Sequence, residues 1–186
     1  MADPQSTEPG AQASAARTRS IAETPELARL AAELLQTPTL LAGMSEAELR
    51  VVISYLRLAT FAAGATVFRQ GDASSTGYLL LILSGDVRVE ASSSAGAPSV
   101  DMSVLGAGNV IGEMGLIDGL PRSTTCIAVS AVQAAGLARK GYDLMLAEHP
   151  AVAAKLMIAL AKRLADRIRA LDDQLALYAS FGSGPS

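Results

Sequence analysis

The chain of 186 residues contains no tryptophan, and aromatic residues make up only 4% of it, so its core has to be built from Leu, Val, Ile and Ala. That scarcity leaves little material for the stacking platforms on which single-stranded nucleic acids are held. The one cysteine, Cys126, can form no internal disulfide and reads as a small buried hydrophobe in a strand. The one histidine, His149, precedes Pro150 and reads as a helix-junction residue. A lone histidine supplies no two-histidine metal site, and one that reads as a helix-junction residue is not read as the base of a catalytic triad, so no metal site, no catalytic residues and no enzyme are expected. Positive charge is not in excess either: the net charge is -3 and the pI about 5.2, without the basic footprint of a duplex binder. Apolar runs such as residues 78–83 stop at six, far short of a membrane span. The N-terminus carries Asp3 and Glu8 where a signal peptide has a basic start and an apolar stretch, and cytoplasmic residence is expected.

What the chain does have is 50% hydrophobic residues, enough for one domain with appendages. Residues 1–22 and 180–186 are rich in Ala, Ser, Gly and Pro without periodicity and are expected to be disordered tails. Two short helices are expected within 23–57. Thr24-Pro25-Glu26 starts one, with Leu27, Leu30, Ala31 and Leu34 on one face. Ser45 and Glu48 have capping-box spacing ahead of Leu49, Val52 and Leu56 in the other. From 58 to 138 short aliphatic and β-branched runs alternate with glycine-bearing turns. Strands are expected at 65–68, 78–83, 87–90, 100–105, 110–111 and 126–132, forming a sandwich or β-roll with the two helices packed outside it.

Residues 139–179 read as C-terminal helices, the last running from Ala151 to about Ala179. Along it Met157, Ala161, Leu164, Ile168, Leu171, Leu175 and Tyr178 alternate steps of four and three, the spacing of a coiled-coil seam. Arg167 and Asp172 have the flanking spacing of a parallel pair, which favours a homodimer through 157–178. An amphipathic helix lying on its own β-roll gives the same pattern.

The chemistry concentrates between Gly112 and Ser123, where a carboxylate and a guanidinium are joined by a glycine-rich turn. Arg122 offers a planar fork of donors for phosphate oxygens, and Glu113 accepts from a sugar hydroxyl. Gly112 and Gly115 allow close backbone approach, and Leu116-Ile117 forms a short helix whose first amides face an anion. A pocket for a small sugar phosphate follows. The alternatives are a solvated Glu113, and an Arg122 paired with Glu113 or Asp118 for structural reasons.

The run Val110-Ile111-Gly112-Glu113-Met114-Gly115-Leu116-Ile117, followed by Pro121-Arg122-Ser123, closely resembles the phosphate-binding cassette of cyclic-nucleotide-binding domains. This family includes receptor-type regulators, kinase regulatory subunits and gated channels. Phe68-Arg-Gln-Gly-Asp72, Gly77-Tyr78 and Ser84-Gly85 extend the resemblance upstream. It implies an α+β fold: an antiparallel, jelly-roll-like β-roll with flanking N-terminal helices, a cassette at 108–125 and a long C-terminal helix. It further implies that Glu113 takes the ribose 2′-hydroxyl and Arg122 and Ser123 the phosphate. Gly112, Met114, Gly115 and Thr124 would complete the site, and Arg167 would lie where relatives contact the base with Ser or Thr. Ser123 leans towards cyclic AMP, with cyclic GMP and cyclic di-GMP left open and no cofactor expected. Residues 179–186 are too few for a helix-turn-helix module, so output to a dimer or protein partner is expected rather than direct DNA binding. A coiled-coil scaffold with a degenerate cassette is the other reading.

Overall fold

The computed structural model describes residues 19–36, 41, 43–92 and 100–182. A 3₁₀ turn at Ile21–Glu23 leads into α1 (Pro25–Gln36) and α2 (Glu46–Ser54). Eight strands follow: β1 (Arg57–Phe61), β2 (Thr66–Phe68), β3 (Tyr78–Ser84), β4 (Val87–Ala91), β5 (Val100–Leu105), β6 (Val110–Ile111), β7 (Thr125–Ala128) and β8 (Val132–Ala138). A short α3 (Glu113–Asp118) sits between β6 and β7, and α4 (Arg139–Glu148) and α5 (Pro150–Gly182) close the chain. Two antiparallel four-stranded sheets, ordered β1-β8-β3-β6 and β2-β7-β4-β5, face each other as a β-roll.

The apolar run of β3 explains how the layers stack. Leu79, Leu81 and Leu83 join the cluster under α1, α2, α4 and α5, whereas Leu80 and Ile82 point into the space between the sheets with Val87, Val89 and Cys126. A strand covered on both faces has no need of polar alternation. The Ser45 capping box forms as expected, its hydroxyl accepting from the Glu48 amide at 3.3 Å while Glu48 accepts from the Ser45 amide at 2.9 Å.

Several expectations need correction. Residues 19–22 were expected within the N-terminal tail, yet Ile21 is fully buried against the helices and Ser20 bridges Arg57. An apolar anchor at the tail's end outweighs its polar composition. The rest of that tail lies outside the described residues, as does most of the C-terminal one, although α5 continues to Gly182 rather than stopping at Ala179. The expected strand at 126–132 is two strands belonging to opposite sheets. They are split at 129–131, where the Val129 amide donates to Asp86 O at 2.8 Å and Ser130 Oγ accepts from the Asp86 amide at 3.0 Å. Gly85 makes that junction possible: its φ is +83° and a Cβ there would lie 2.3 Å from the Ala131 carbonyl oxygen. Strand β1 and most of β8 are additions to the expected set.

The long helix divides in two. Val152, Ala153, Leu156 and Leu160 are buried against the roll, with Met157 packed beside them, and Lys155 Nζ reaches Glu48 on α2 at 2.6 Å. Met157 therefore belongs to the protein's own core, not to an outer seam. From 166 to 178 every residue is exposed, Ile168 at 59% and Leu175 at 65% among them.

Candidate functional site

The cassette begins where β6 ends. Gly112 adopts a left-handed conformation (φ +76°) that turns the chain from β6 into α3, and Gly119 (φ +71°) ends the helix. A Cβ on Gly112 would sit 2.6 Å from Arg122 Nη1, and one on Gly115 2.6 Å from the Thr76 carbonyl oxygen. The close approach that these glycines permit is to the protein's own turn and its own arginine, where the sequence pointed to a ligand. Leu116 is fully buried in the helix-side core and Ile117 is exposed, so the two do not share an environment.

Arg122 is 3% exposed. Its Nε and Nη2 donate to Ser75 O at 3.1 and 2.8 Å, and its Nη1 donates to Tyr78 O at 3.0 Å and Gly112 O at 2.9 Å. Those four contacts leave one of the guanidinium's five N–H groups, on Nη2, without an acceptor among the described residues. The guanidinium carbon lies 4.4 Å from the Phe68 ring centre and 4.2 Å from that of Tyr78. Neither Glu113 nor Asp118 pairs with it; Asp118 instead accepts from the Leu120 amide at 2.9 Å. Asp72, in the neighbouring turn, is held below the usual carboxylate range by the hydroxyl and amide of Ser74, with a smaller contribution from the Arg122 charge.

Glu113 opens α3 and is 4% exposed, and among the described residues its carboxylate has no hydrogen-bond or ion-pair partner. Ser123 is exposed and its hydroxyl rests on Met114 Sδ at 3.6 Å, a weak acceptor that competes poorly with an anion. These residues line a cleft of about 500 Å³, part of it open to solvent. All eight residues singled out in the sequence border it: Gly112, Glu113, Met114 and Gly115 from the cassette, Arg122, Ser123 and Thr124 before β7, and Arg167 from α5. Arg167 is exposed and pairs with no carboxylate among the described residues. One turn earlier Arg163 ties α5 to the β5–β6 turn through Asn109 Oδ1 at 3.4 Å.

Sequence reasoning missed the apolar walls Val89, Leu105, Val110 and Ile111, and the two rings beside Arg122. In so aromatic-poor a chain, Phe68 and Tyr78 flanking one glycine-rich turn were the available signal. Cys126 lies on the cleft floor, 1% exposed. Burial pushes its thiol up to about 12, the Glu113 charge adding to the effect while a Thr124 hydrogen bond and the charges of Arg122 and Arg167 oppose it. Among the described residues no His, Cys, Asp and Glu group has the arrangement of a metal site, and no helix is long and apolar enough to cross a membrane.

Residues 58–149 match the model of the cyclic nucleotide-binding domain family. The crystal structure of a cyclic nucleotide-binding domain from Methylobacillus flagellatus superposes with a TM-score of 0.72 at 30% identity, covering 82% of this chain and 84% of that one. The cyclic AMP receptor protein of Thermus thermophilus is 32% identical over 130 residues, which is 70% of this chain and 59% of the relative's length. The regulatory domain of Toxoplasma gondii PKA, solved with cAMP, shares the fold with a TM-score of 0.63 at 24% identity over 79% of this chain and 51% of that one.

Proposed function

Because the chain belongs to the cyclic nucleotide-binding domain family, we propose that it is a cyclic-nucleotide sensor whose ligand is cyclic AMP. One observation carries this reading: Glu113 and Arg122 border the same cleft, are 4% and 3% exposed, and neither forms an ion pair with a described residue. The Glu113 oxygens keep contact with solvent through the cleft, and one ligand bearing an anion and hydroxyls on a single ring system would replace that solvent and engage both groups at once. In this reading the ribose 2′-hydroxyl donates to Glu113. The cyclic phosphate faces the Arg122 charge, the Ser123 hydroxyl and the first-turn amides of Met114 and Gly115, which have no intrahelical acceptor. Gly112 and Thr124 wall the same end, and Arg167 reaches over the base from α5. Serine rather than threonine after the arginine supports cyclic AMP over cyclic GMP, and so does the name of the Thermus relative.

Arg167 also gives the site a route outward. A ligand that engages it biases α5, whose exposed stripe of Ile168, Leu171, Leu175 and Tyr178 suits a second copy of this chain or a protein partner. Calorimetric and thermal-shift titrations with cyclic AMP, cyclic GMP and cyclic di-GMP test the reading. Ligand at a hundred times its dissociation constant adds about 2.7 kcal/mol of stability. No response to any of the three at millimolar concentration rejects it.

The exposed stripe on its own favours a second reading, a ligand-independent coiled-coil scaffold. Sedimentation with and without cyclic AMP separates the two: a scaffold associates identically in both conditions, while a sensor changes its association constant or shape.

A further inference from the structure

A buried arginine is ordinarily held by a carboxylate, which fixes the side chain and cancels its charge. Arg122 is held differently. The N–H groups along the edge of its guanidinium go to the carbonyls of Ser75, Tyr78 and Gly112, and its carbon lies 4.4 Å and 4.2 Å from the centres of the Phe68 and Tyr78 rings. Aromatic rings attract a cation through their quadrupole and bring no net negative charge, and guanidinium is weakly hydrated enough to accept such neighbours.

We propose that Phe68 and Tyr78 are positioning residues of the anion subsite, holding the Arg122 guanidinium against the cleft while leaving its positive charge available to a ligand phosphate. This rests on the cyclic-nucleotide reading above. The two rings come from the two sheets, Phe68 from the end of β2 and Tyr78 from the start of β3, and meet edge-to-face with centres 6.4 Å apart at 74°. Phe68 is buried, and the Tyr78 hydroxyl is anchored on the Val67 carbonyl at 3.4 Å. The pair is therefore fixed by the β-roll itself and does not depend on a ligand. Gly112 completes the arrangement, since a Cβ there would crowd both Arg122 Nη1, at 2.6 Å, and Phe68 Cε1, at 3.3 Å.

The test uses the full chain with Phe68→Leu and Tyr78→Leu, which remove a ring, and Phe68→Tyr and Tyr78→Phe, which keep it. Phe68→Met and Tyr78→Met serve where a leucine variant fails to fold. Calorimetry with cyclic AMP is expected to show about a tenfold loss for each ring-less variant, the size of a desolvated cation–π contact, and less than about a threefold change for each ring-retaining one. Phosphorus NMR at saturating ligand is expected to return the bound phosphate resonance towards its free position in the ring-less variants alone. Folded ring-less variants that bind as wild type, or ring-retaining variants that lose as much, overturn the proposal and leave the sensor reading intact. A wild-type protein that binds no cyclic nucleotide overturns both.

Discussion

At the α2–α5 junction two opposite charges meet and pair; in the cleft a glutamate and an arginine stand in one pocket and do not. At the α2–α5 junction Lys155 Nζ and Glu48 Oε1 are 2.6 Å apart, with 48% and 23% of their side chains exposed. In the cleft Glu113 and Arg122 are almost wholly buried, yet neither has an ion-pair partner among the described residues. Charges at a wet surface are screened and pair with little consequence, whereas buried charges left apart are retained against a real cost. The contrast separates an interaction that holds two helices from a constellation arranged for a third party. The two buried charges also differ from each other. Arg122 holds three backbone carbonyls, two from the turn into β3 and one from the end of β6, while Glu113 has no hydrogen-bond partner among the described residues.

The largest effect is expected from Arg122→Ala. It removes the ligand's counter-charge and strands the carbonyls of Ser75, Tyr78 and Gly112, so cyclic AMP affinity falls at least about tenfold and stability by about 2–4 kcal/mol. Denaturant unfolding and calorimetry read the two losses together. Glu113→Gln sharpens the comparison: affinity falls about tenfold through loss of a charged hydrogen bond, while the unliganded Tm moves by less than about two degrees. A large Tm drop here would mean that Glu113 is part of the scaffold after all.

Cys126 probes how dry the cleft floor is. With its thiol pushed up to about 12, only about one molecule in ten thousand is thiolate at pH 8. Iodoacetamide should therefore leave it intact over a period that alkylates free cysteine completely. Rapid labelling followed by mass spectrometry would show instead that the floor opens to solvent.

The smallest effect belongs to the surface pair. Glu48 is held below its usual value of 4.5 by the Lys155 and Ser45 contacts, so its contribution is present above that value and is lost as pH falls through the depressed one. Glu48→Gln should flatten the acid side of the Tm-versus-pH curve slightly and leave neutral-pH affinity for cyclic AMP unchanged. An affinity change would couple the α2–α5 junction to the cleft.

Much of this was readable in the chain itself. The run from Gly112 to Ser123 named its own turn, helix and charged residues, because glycines in left-handed positions and a carboxylate and guanidinium at fixed spacing are local requirements. The capping box at Ser45 and the fully apolar β3 are local in the same sense. The break at 129–131 was not readable: Val-Ser-Ala carries only Ser130 as a turn former, with no Gly, Pro, Asn or Asp, and the bend is imposed by hydrogen bonds from the hairpin at Gly85-Asp86, more than forty positions away in sequence. Strand β1 is half-exposed along its length and announces itself only by pairing with β8.

The two halves of α5 show where local information ends. One periodicity runs from Met157 to Tyr178, but only contact with the roll decides that Met157 is packed on the core while Ile168 and Leu175 are bare. Spacing along a helix fixes which side chains share a face and says nothing about what lies opposite that face. In the same way the sequence determined that a glutamate and an arginine would stand nine positions apart around a short helix. Tertiary structure alone decided that they would be buried in one cleft without touching, and that rings from two different sheets would flank the arginine, because burial and ring contacts depend on segments that meet only when the β-roll closes.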